Sequence, residues 1–327
     1  MNEFRLAGPE DEAELRQLSA LPVPGRWIDL SYQRQPNYFA GLSSPHDQVL
    51  LGRLGGQALA AVAVRSTPQL LVSGRPQRRG YLGGLRVDPR YQGRNLLAEG
   101  FALLRRLHEA DPVDEYLATI VEGNELARRL LVERARPSWP RFHAAGVLCT
   151  LALRTRAGRA ESCAEGQALR RVQEWGGNRP FFPSEPLQVE GERRWWLEHQ
   201  GVVGALRDLS ATRQTVVARY RGWLRWLRPF LRLPRTGSAI RGGYAGFWCS
   251  DGHRPQAFQG WLRQMLALAR RAGLDWLYLG IMESDPYLAV ARRFRHRLYR
   301  SQVFRVRYQG LPEALPEGAP YLELAWL

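Results

Sequence analysis

Residues 81–108 read YLGGLRVDPRYQGRNLLAEGFALLRRLH, and the interpretation of the whole chain starts from this segment. Its first seven residues favour a short strand. The strand ends at Asp88-Pro89, because proline has no N–H to give to a sheet and restricts the residue before it. Leucines then recur at the spacing of one helix face, which predicts a helix over about 96–108.

The turn between the predicted strand and helix has the residue types of an anion-binding loop. Gly93 allows the backbone to approach a ligand closely. Arg90 and Arg94 add positive charge beside the N-terminus of the helix, where unpaired N–H groups already favour an anion. The segment therefore predicts a phosphate site.

This segment resembles the pyrophosphate-binding loop of the GCN5-related N-acetyltransferases (GNAT), written Q/R-x-x-G-x-G/A after a strand that ends V-x-P. Val87-Asp88-Pro89 matches the strand end and Gln92 matches the first loop position. Asn95 stands where the family usually has its first glycine, and Leu97 where it has glycine or alanine. The segment 124–127, NELA, matches a second family motif, N-x-x-A, after the buried strand YLATIV at 116–121.

The resemblance covers about residues 3–154 and implies an acyl-CoA site. Acetyl-CoA, or a longer acyl-CoA, is expected between the strands at 85–87 and 117–121, with an amine acceptor attacking the thioester directly. The implied cofactor-binding residues are Leu85, Arg86, Val87, Gln92, Gly93, Arg94, Asn95, Leu96, Leu97, Asn124 and Ala127. The candidate catalytic residues are Glu122 as base and Tyr81 as acid, with Tyr116 and Tyr38 as alternatives to Tyr81.

The second half repeats the order of elements weakly. The sequence therefore predicts an α/β (α+β) protein of two tandem GNAT-like domains, 1–156 and 157–327, each with a mixed, mostly antiparallel sheet flanked by helices. The turn 250–255, SDGHRP, lacks the glycine spacing, so only the first domain is expected to bind the cofactor. We also expect paired strands at 201–206 and 214–220 and a closing strand at 321–327.

The overall composition narrows the class of protein. The 327 residues include 47 arginines and no lysine, and the net charge of +16 favours an anionic partner such as a phosphorylated cofactor, RNA or a lipid surface. No apolar run approaches the length of a membrane span and the N-terminus lacks a signal-peptide core, so we expect a cytoplasmic protein. The spacing of cysteines and histidines predicts no metal site.

The segment 219–235, RYRGWLRWLRPFLRLPR, is amphipathic. We favour a helix that buries Trp223 and Trp226 against the protein itself over one that contacts nucleic acid or an anionic membrane.

Two functional alternatives remain open. A tandem pair of this fold with many arginines is also similar to the Fem-type transferases, which use aminoacyl-tRNA. A non-catalytic CoA-binding or scaffold protein is the other, because a leucine at position 131 replaces the tyrosine that many relatives use as general acid.

Overall fold

The structure, a computed structural model, describes residues 3–25, 27–42, 46–55, 58–94, 96–134, 136–227, 233–312, 314 and 319–326. The elements up to residue 154 are β1 (Glu3–Leu6), α1 (Glu12–Ala20), β2 (Ile28–Arg34), β3 (Gln48–Leu54), β4 (Ala58–Ser66), β5 (Gln69–Val72), β6 (Arg75–Arg78), β7 (Gly80–Val87), α2 (Leu96–Ala110), β8 (Tyr116–Val121), α3 (Glu125–Arg128) and β9 (Arg141–Arg154). The later elements are α4 (Glu165–Gly176), β10 (Phe182–Pro183), β11 (Arg193–His199), β12 (Val202–Asp208), β13 (Arg213–Tyr220), α5 (Leu224–Leu227), β14 (Gly242–Ser250), α6 (Pro255–Arg271), β15 (Trp276–Met282), α7 (Tyr287–Ala291) and β16 (His296–Arg307).

Eleven strands of the described part of the chain form one sheet, in the order β1-β3-β4-β7-β8-β16-β9-β15-β14-β12-β11. The pairs β7–β8 and β14–β15 are parallel, and the other neighbours are antiparallel. Helices α2 and α6 bury apolar faces against this sheet. The predicted fold class, a mixed and mostly antiparallel sheet flanked by helices, is confirmed.

Read inward from either edge, the sheet has antiparallel strands followed by one parallel pair, β7–β8 on one side and β14–β15 on the other. The strand next to each parallel pair comes from the other half of the sequence, and we call this the exchange of β9 and β16. β16, near the end of the chain, lies between β8 and β9, where it completes the sheet of the first half. β9 in turn pairs with β15 of the second half along seven residues. The sheet is thus continuous across residue 156, and the division into domains 1–156 and 157–327 stays a prediction.

Two expected strand features differ from the structure. The segment 214–220 is a strand, but β13 pairs with β2 of the first half and not with β12. Strand alternation identifies an extended segment without identifying its partner, and the partner here lies about 180 residues away in sequence. The tail expected as a strand over 321–327 instead has a short 3-10 turn at Leu324–Trp326, whose apolar side chains are buried against several strands.

Candidate active site

The parallel strands β7 and β8 separate after only three paired residues. Their register ends at Leu82 opposite Ala118, so residues 83–87 and 119–121 diverge; we call this opening the splay. Gly84 has a φ of +62°, and the register between β4 and β7 shifts at the same place. This β-bulge turns the strand away from its neighbour and leaves main-chain groups of β7 without a sheet partner on the β8 side.

An apolar cavity of about 330 Å³ opens from the splay. It continues beneath α2, past β4 and β3, to Phe4 on β1. Five neighbouring strands correspond to four spacings of about 4.8 Å, or roughly 19 Å of depth. Gly100 leaves space in its wall, the ring of Phe4 packs against Gly52, and no carboxylate of the described residues lines the cavity.

The loop before α2 is held by a local ion pair. The carboxylate of Asp88 accepts hydrogen bonds from the backbone N–H of Arg90, at 2.9 Å, and from its guanidinium, at 2.7 Å. These bonds hold the pKa of Asp88 below its ordinary value. Gly93 has a φ of +84°, a conformation that favours glycine, and lies just before the helix.

The structure brings most of the implied cofactor residues to this opening. Those that line the cavity are Leu85, Val87, Leu96, Leu97, Asn124 and Ala127. Gln92, Gly93 and Arg94 are exposed on the loop at the start of α2. Arg86 lies opposite Val62 and its side chain is on the other face of the sheet from α2, while Asn95 is outside the described residues.

Asn124 has a structural role at the start of α3. Its side-chain Oδ1 accepts a hydrogen bond from the backbone N–H of Ala127 at 3.2 Å, which caps α3. Because Asn124 also lines the cavity, this cap fixes the edge of the splay.

The two candidate catalytic residues lie in different surroundings. Tyr81 lines the cavity, its hydroxyl is 3.2 Å from Oγ1 of Thr119, and burial raises its pKa to about 12. It therefore keeps its proton at neutral pH and can donate a hydrogen bond. Glu122 is 67% exposed outside the cavity, and its carboxylate is 3.3 Å from Nε of Arg300. The catalytic roles of both residues stay predictions.

Sequence reasoning did not identify the deep part of the cavity. Its walls there come from β1, β3 and α2, far from the loop motif. The residues that the motifs did not mark include Phe4, Leu50, Gly52, Gly100, Phe101 and Phe142. Glycines at 83 and 84 beside the motif were an available signal of space, but a glycine inside a strand has several other causes.

The second half has an equivalent opening that its own side chains fill. The register of β14 and β15 ends at Ala245 opposite Leu279. Beyond it, the backbone N–H of Phe247 donates to the buried carboxylate of Glu323 at 2.9 Å. The hydroxyl of Tyr287 accepts a hydrogen bond from the backbone N–H of Arg254 at 2.8 Å, at the start of α6. The groups that would bind a cofactor are thus already paired within the chain.

The amphipathic segment 219–235, which we expected to form a helix packed against the protein, differs in part from this prediction. Only Leu224–Leu227 is helical among its described residues, and residues 228–232 lie outside them. Leu224 is buried, but Trp223 is 53% exposed and Trp226 is 71% exposed. The expected burial of Trp223 and Trp226 is wrong, because the helix is one turn long and only its Leu224 side faces inward. Contact with nucleic acid or an anionic membrane stays a prediction.

A splayed parallel strand pair and a glycine loop before a helix are features of a GNAT-type fold. The fold is similar to that of the N-myristoyltransferase of Saccharomyces cerevisiae with bound myristoyl-CoA, with a TM-score of 0.61 and 10% identity over 94% of this chain and 82% of that one. A structure of the same enzyme with myristoyl-CoA and inhibitors gives a TM-score of 0.58 and 12% identity over 94% and 80%. No family model matches the sequence, and no curated protein matches it. The likeness confirms the predicted GNAT-type fold.

Within the residues that the structure describes, every helix is too short or too polar to span a membrane.

Proposed function

We propose that this protein is an acyl-CoA-dependent N-acyltransferase whose donor carries an acyl chain longer than acetyl. The apolar cavity that opens from the splay is the observation that carries the proposal. An acetyl group would fill only its mouth. The similar fold of a transferase with bound myristoyl-CoA supports the same donor class.

The chain's own groups suit this donor. Backbone N–H groups at Gly93 and the first turn of α2 would bind the pyrophosphate, and the free edge of β7 would pair with the pantetheine arm. The acceptor's amine nitrogen attacks the thioester carbon, the C–S bond breaks, and CoA leaves as the thiol once a proton has moved to sulfur. Main-chain N–H groups at the bulge would polarise the carbonyl, and the protonated hydroxyl of Tyr81 can donate to the developing charge.

The proposal is tested by varying the length of the acyl chain on the donor. Each buried methylene contributes about 0.8 kcal/mol, so affinity should rise roughly tenfold for every two added carbons until the cavity is full. Calorimetric titration with acetyl-, hexanoyl-, decanoyl- and myristoyl-CoA measures this rise. A flat series would contradict a long acyl donor.

Matched glycine variants locate the acyl chain. A Cβ at Gly100 in α2 would meet only the ring of Phe4, at 3.9 Å, so Gly100→Leu should project into the cavity. It should lower the affinity for myristoyl-CoA at least tenfold and leave that for acetyl-CoA unchanged. Gly166→Leu, in the open space around α4, is the control.

A second pair of variants locates the pyrophosphate. Gly93→Asp should abolish CoA binding by placing a carboxylate against the phosphates, whereas Gly93→Asn, which tolerates the same backbone conformation, should retain more affinity. Equal losses in both variants would contradict a pyrophosphate at this loop.

A CoA-binding protein without transferase activity is the second candidate, since no carboxylate base from the described residues lines the cavity. Release of CoA from a bound acyl-CoA in the presence of a panel of amines distinguishes the two candidates. Release that depends on the amine supports the transferase.

A further inference from the structure

A second group of aromatic and charged side chains lies on the face of the sheet opposite α2. Side chains of cross-strand partners point to the same face, so the strand registers place Arg86, Tyr299, Tyr278 and Tyr244 together on that face. The two-stranded ribbon of β2 and β13 contributes Tyr32. We call the space between the ribbon and these residues the Tyr–Arg cleft.

Tyr32 faces these side chains across a space that is open to solvent. Its side chain is 47% exposed, and burial by the surrounding protein and the nearby Tyr244 raise its pKa while Arg86 lowers it. Tyr299 is 54% exposed and acts on Tyr32 in the same way.

Two arginines face each other at one end of this cleft. Arg34 of β2 lies directly opposite Arg213 of β13, although like charges in opposite positions destabilise a strand pair. Arg34 lies on the same face of β2 as Tyr32, two residues away, so it points toward the cleft. Burial and repulsion by Arg34 lower the pKa of Arg213 to about 10.

Arg34 has an unused hydrogen-bond donor. Its Nη1 is buried and has no hydrogen-bond partner among the residues that the structure describes. Its guanidinium lies 4.7 Å from the ring centroid of Tyr38. Arg213 differs, because its Nη1 donates to the carbonyl oxygen of Ala325 at 2.5 Å and Asp47 offsets part of its charge.

Two further arginines, Arg207 and Arg86, lie near this pair. Arg207, the next arginine on this side, is already bound by the carboxylates of Glu192 and Glu323. Arg86 adds a further positive charge close enough to act on both Tyr32 and Tyr38. Arg86 also follows Leu85 on β7, which connects this charged region to the splay.

We propose that the acceptor amine also carries an oxyanion, a carboxylate or a phosphate, and that this oxyanion binds Arg34 at the Arg34–Arg213 pair. An oxyanion there would accept the unused N–H of Arg34 and reduce the repulsion across the ribbon. The Tyr–Arg cleft then leads the amine of the same molecule past Arg86 to the splay. This inference rests on the acyl transfer proposed above and specifies its acceptor.

Matched acceptors that differ only in charge test the inference. With saturating acyl-CoA, CoA release is measured with glycine against glycinamide, leucine against leucinamide, and phosphoethanolamine against ethanolamine. We expect kcat/KM to be at least tenfold higher for the anionic member of the carboxylate pairs or of the phosphate pair, and the pair that responds identifies the oxyanion.

Variants at Arg34 connect the preference to the site. Arg34→Gln should lower kcat/KM for the anionic acceptors at least tenfold and leave the neutral ones unchanged, while Arg34→Lys should keep part of the preference. Arg106→Gln, an exposed arginine on α2, is the control. The inference is overturned if the neutral acceptors react as well as the anionic ones, or if Arg34→Gln lowers both alike.

Calorimetry without acyl-CoA separates this inference from the proposed function. The same acceptors are titrated into the wild-type protein and into Arg34→Gln. If binding depends on the oxyanion and on Arg34 but no amine releases CoA, the transferase proposal fails and the anion site stands. If acyl transfer occurs and neither binding nor rate depends on the oxyanion, the anion site fails alone.

Discussion

At the scale of single residues, Arg207 is a charged side chain that folding removes completely from water. It is completely buried on β12, where Glu192 binds it through both carboxylate oxygens at 2.8 and 2.9 Å and Glu323 binds it at 3.1 Å. Burial disfavours the charge of Glu192, but hydrogen bonds from Arg207 and Arg194 outweigh it and hold its pKa at about 2. The same Glu323 accepts a hydrogen bond from the backbone N–H of Phe247 in the opening between β14 and β15, so the cluster also occupies this opening.

Glu192→Gln should lower the free energy of unfolding at pH 7 by about 3–5 kcal/mol, because it leaves Arg207 buried with one charged partner fewer. The folded pKa of about 2 lies below the unfolded value of about 4.3, so the contribution of Glu192 is present above that value and is lost as pH falls toward 2. The variant should therefore lose stability less steeply over this range. Urea unfolding at a series of pH values measures both effects.

Glu174→Gln is the matched control, because Glu174 forms an exposed ion pair with Arg171. Its loss should change stability by less than about 1 kcal/mol. If Glu192→Gln changes the free energy of unfolding by a similarly small amount and leaves the loss of stability at acid pH unaltered, Arg207 does not need its second carboxylate.

At the scale of elements, the one-turn helix α5 has one apolar side chain packed against the protein and another exposed to solvent. Leu224 packs in a buried cluster with Val217 and Tyr220, whereas Trp226, two residues on, is 71% exposed. Leu224→Ala should cost about 2–5 kcal/mol and Trp226→Ala no more than about 0.5 kcal/mol. Thermal or urea unfolding of the two variants checks this, and comparable losses in both would mean that Trp226 is buried in solution.

Elements with a strong local pattern could be predicted from the sequence. The predicted strand, loop and helix over 81–108 correspond to β7, the loop after it and α2, because each signal is contained within one element. The partners of β13 and β16 could not be predicted, since they lie far away in sequence. For the same reason the motifs marked the mouth of the cavity but not its depth, nor the opposition of Arg34 and Arg213.

At the scale of the whole molecule, the exchange of β9 and β16 joins the two halves. β8 pairs with β16 along six residues but with β7 along only three. One wall of the splay is therefore held mainly by a strand from the other half of the chain. Neither half of the sequence contains all the strands of its own half of the sheet.

Residues 1–156 expressed alone should consequently unfold without cooperativity and fail to bind acyl-CoA. Adding a second chain of residues 157–327, which supplies β16, should restore binding. Calorimetry and denaturant unfolding of the separate and mixed fragments measure this. If residues 1–156 bind acyl-CoA by themselves, β16 is dispensable for the splay.

The exchange also affects the order in which the protein matures on the ribosome. β8 emerges at residues 116–121, whereas its main partner, at 296–307, is synthesised about 180 residues later. Throughout that interval the growing chain exposes an unpaired edge of β8, which is a surface that favours aggregation. The splay is therefore completed only after β16 has been synthesised, and a product that terminates before residue 296 lacks this strand.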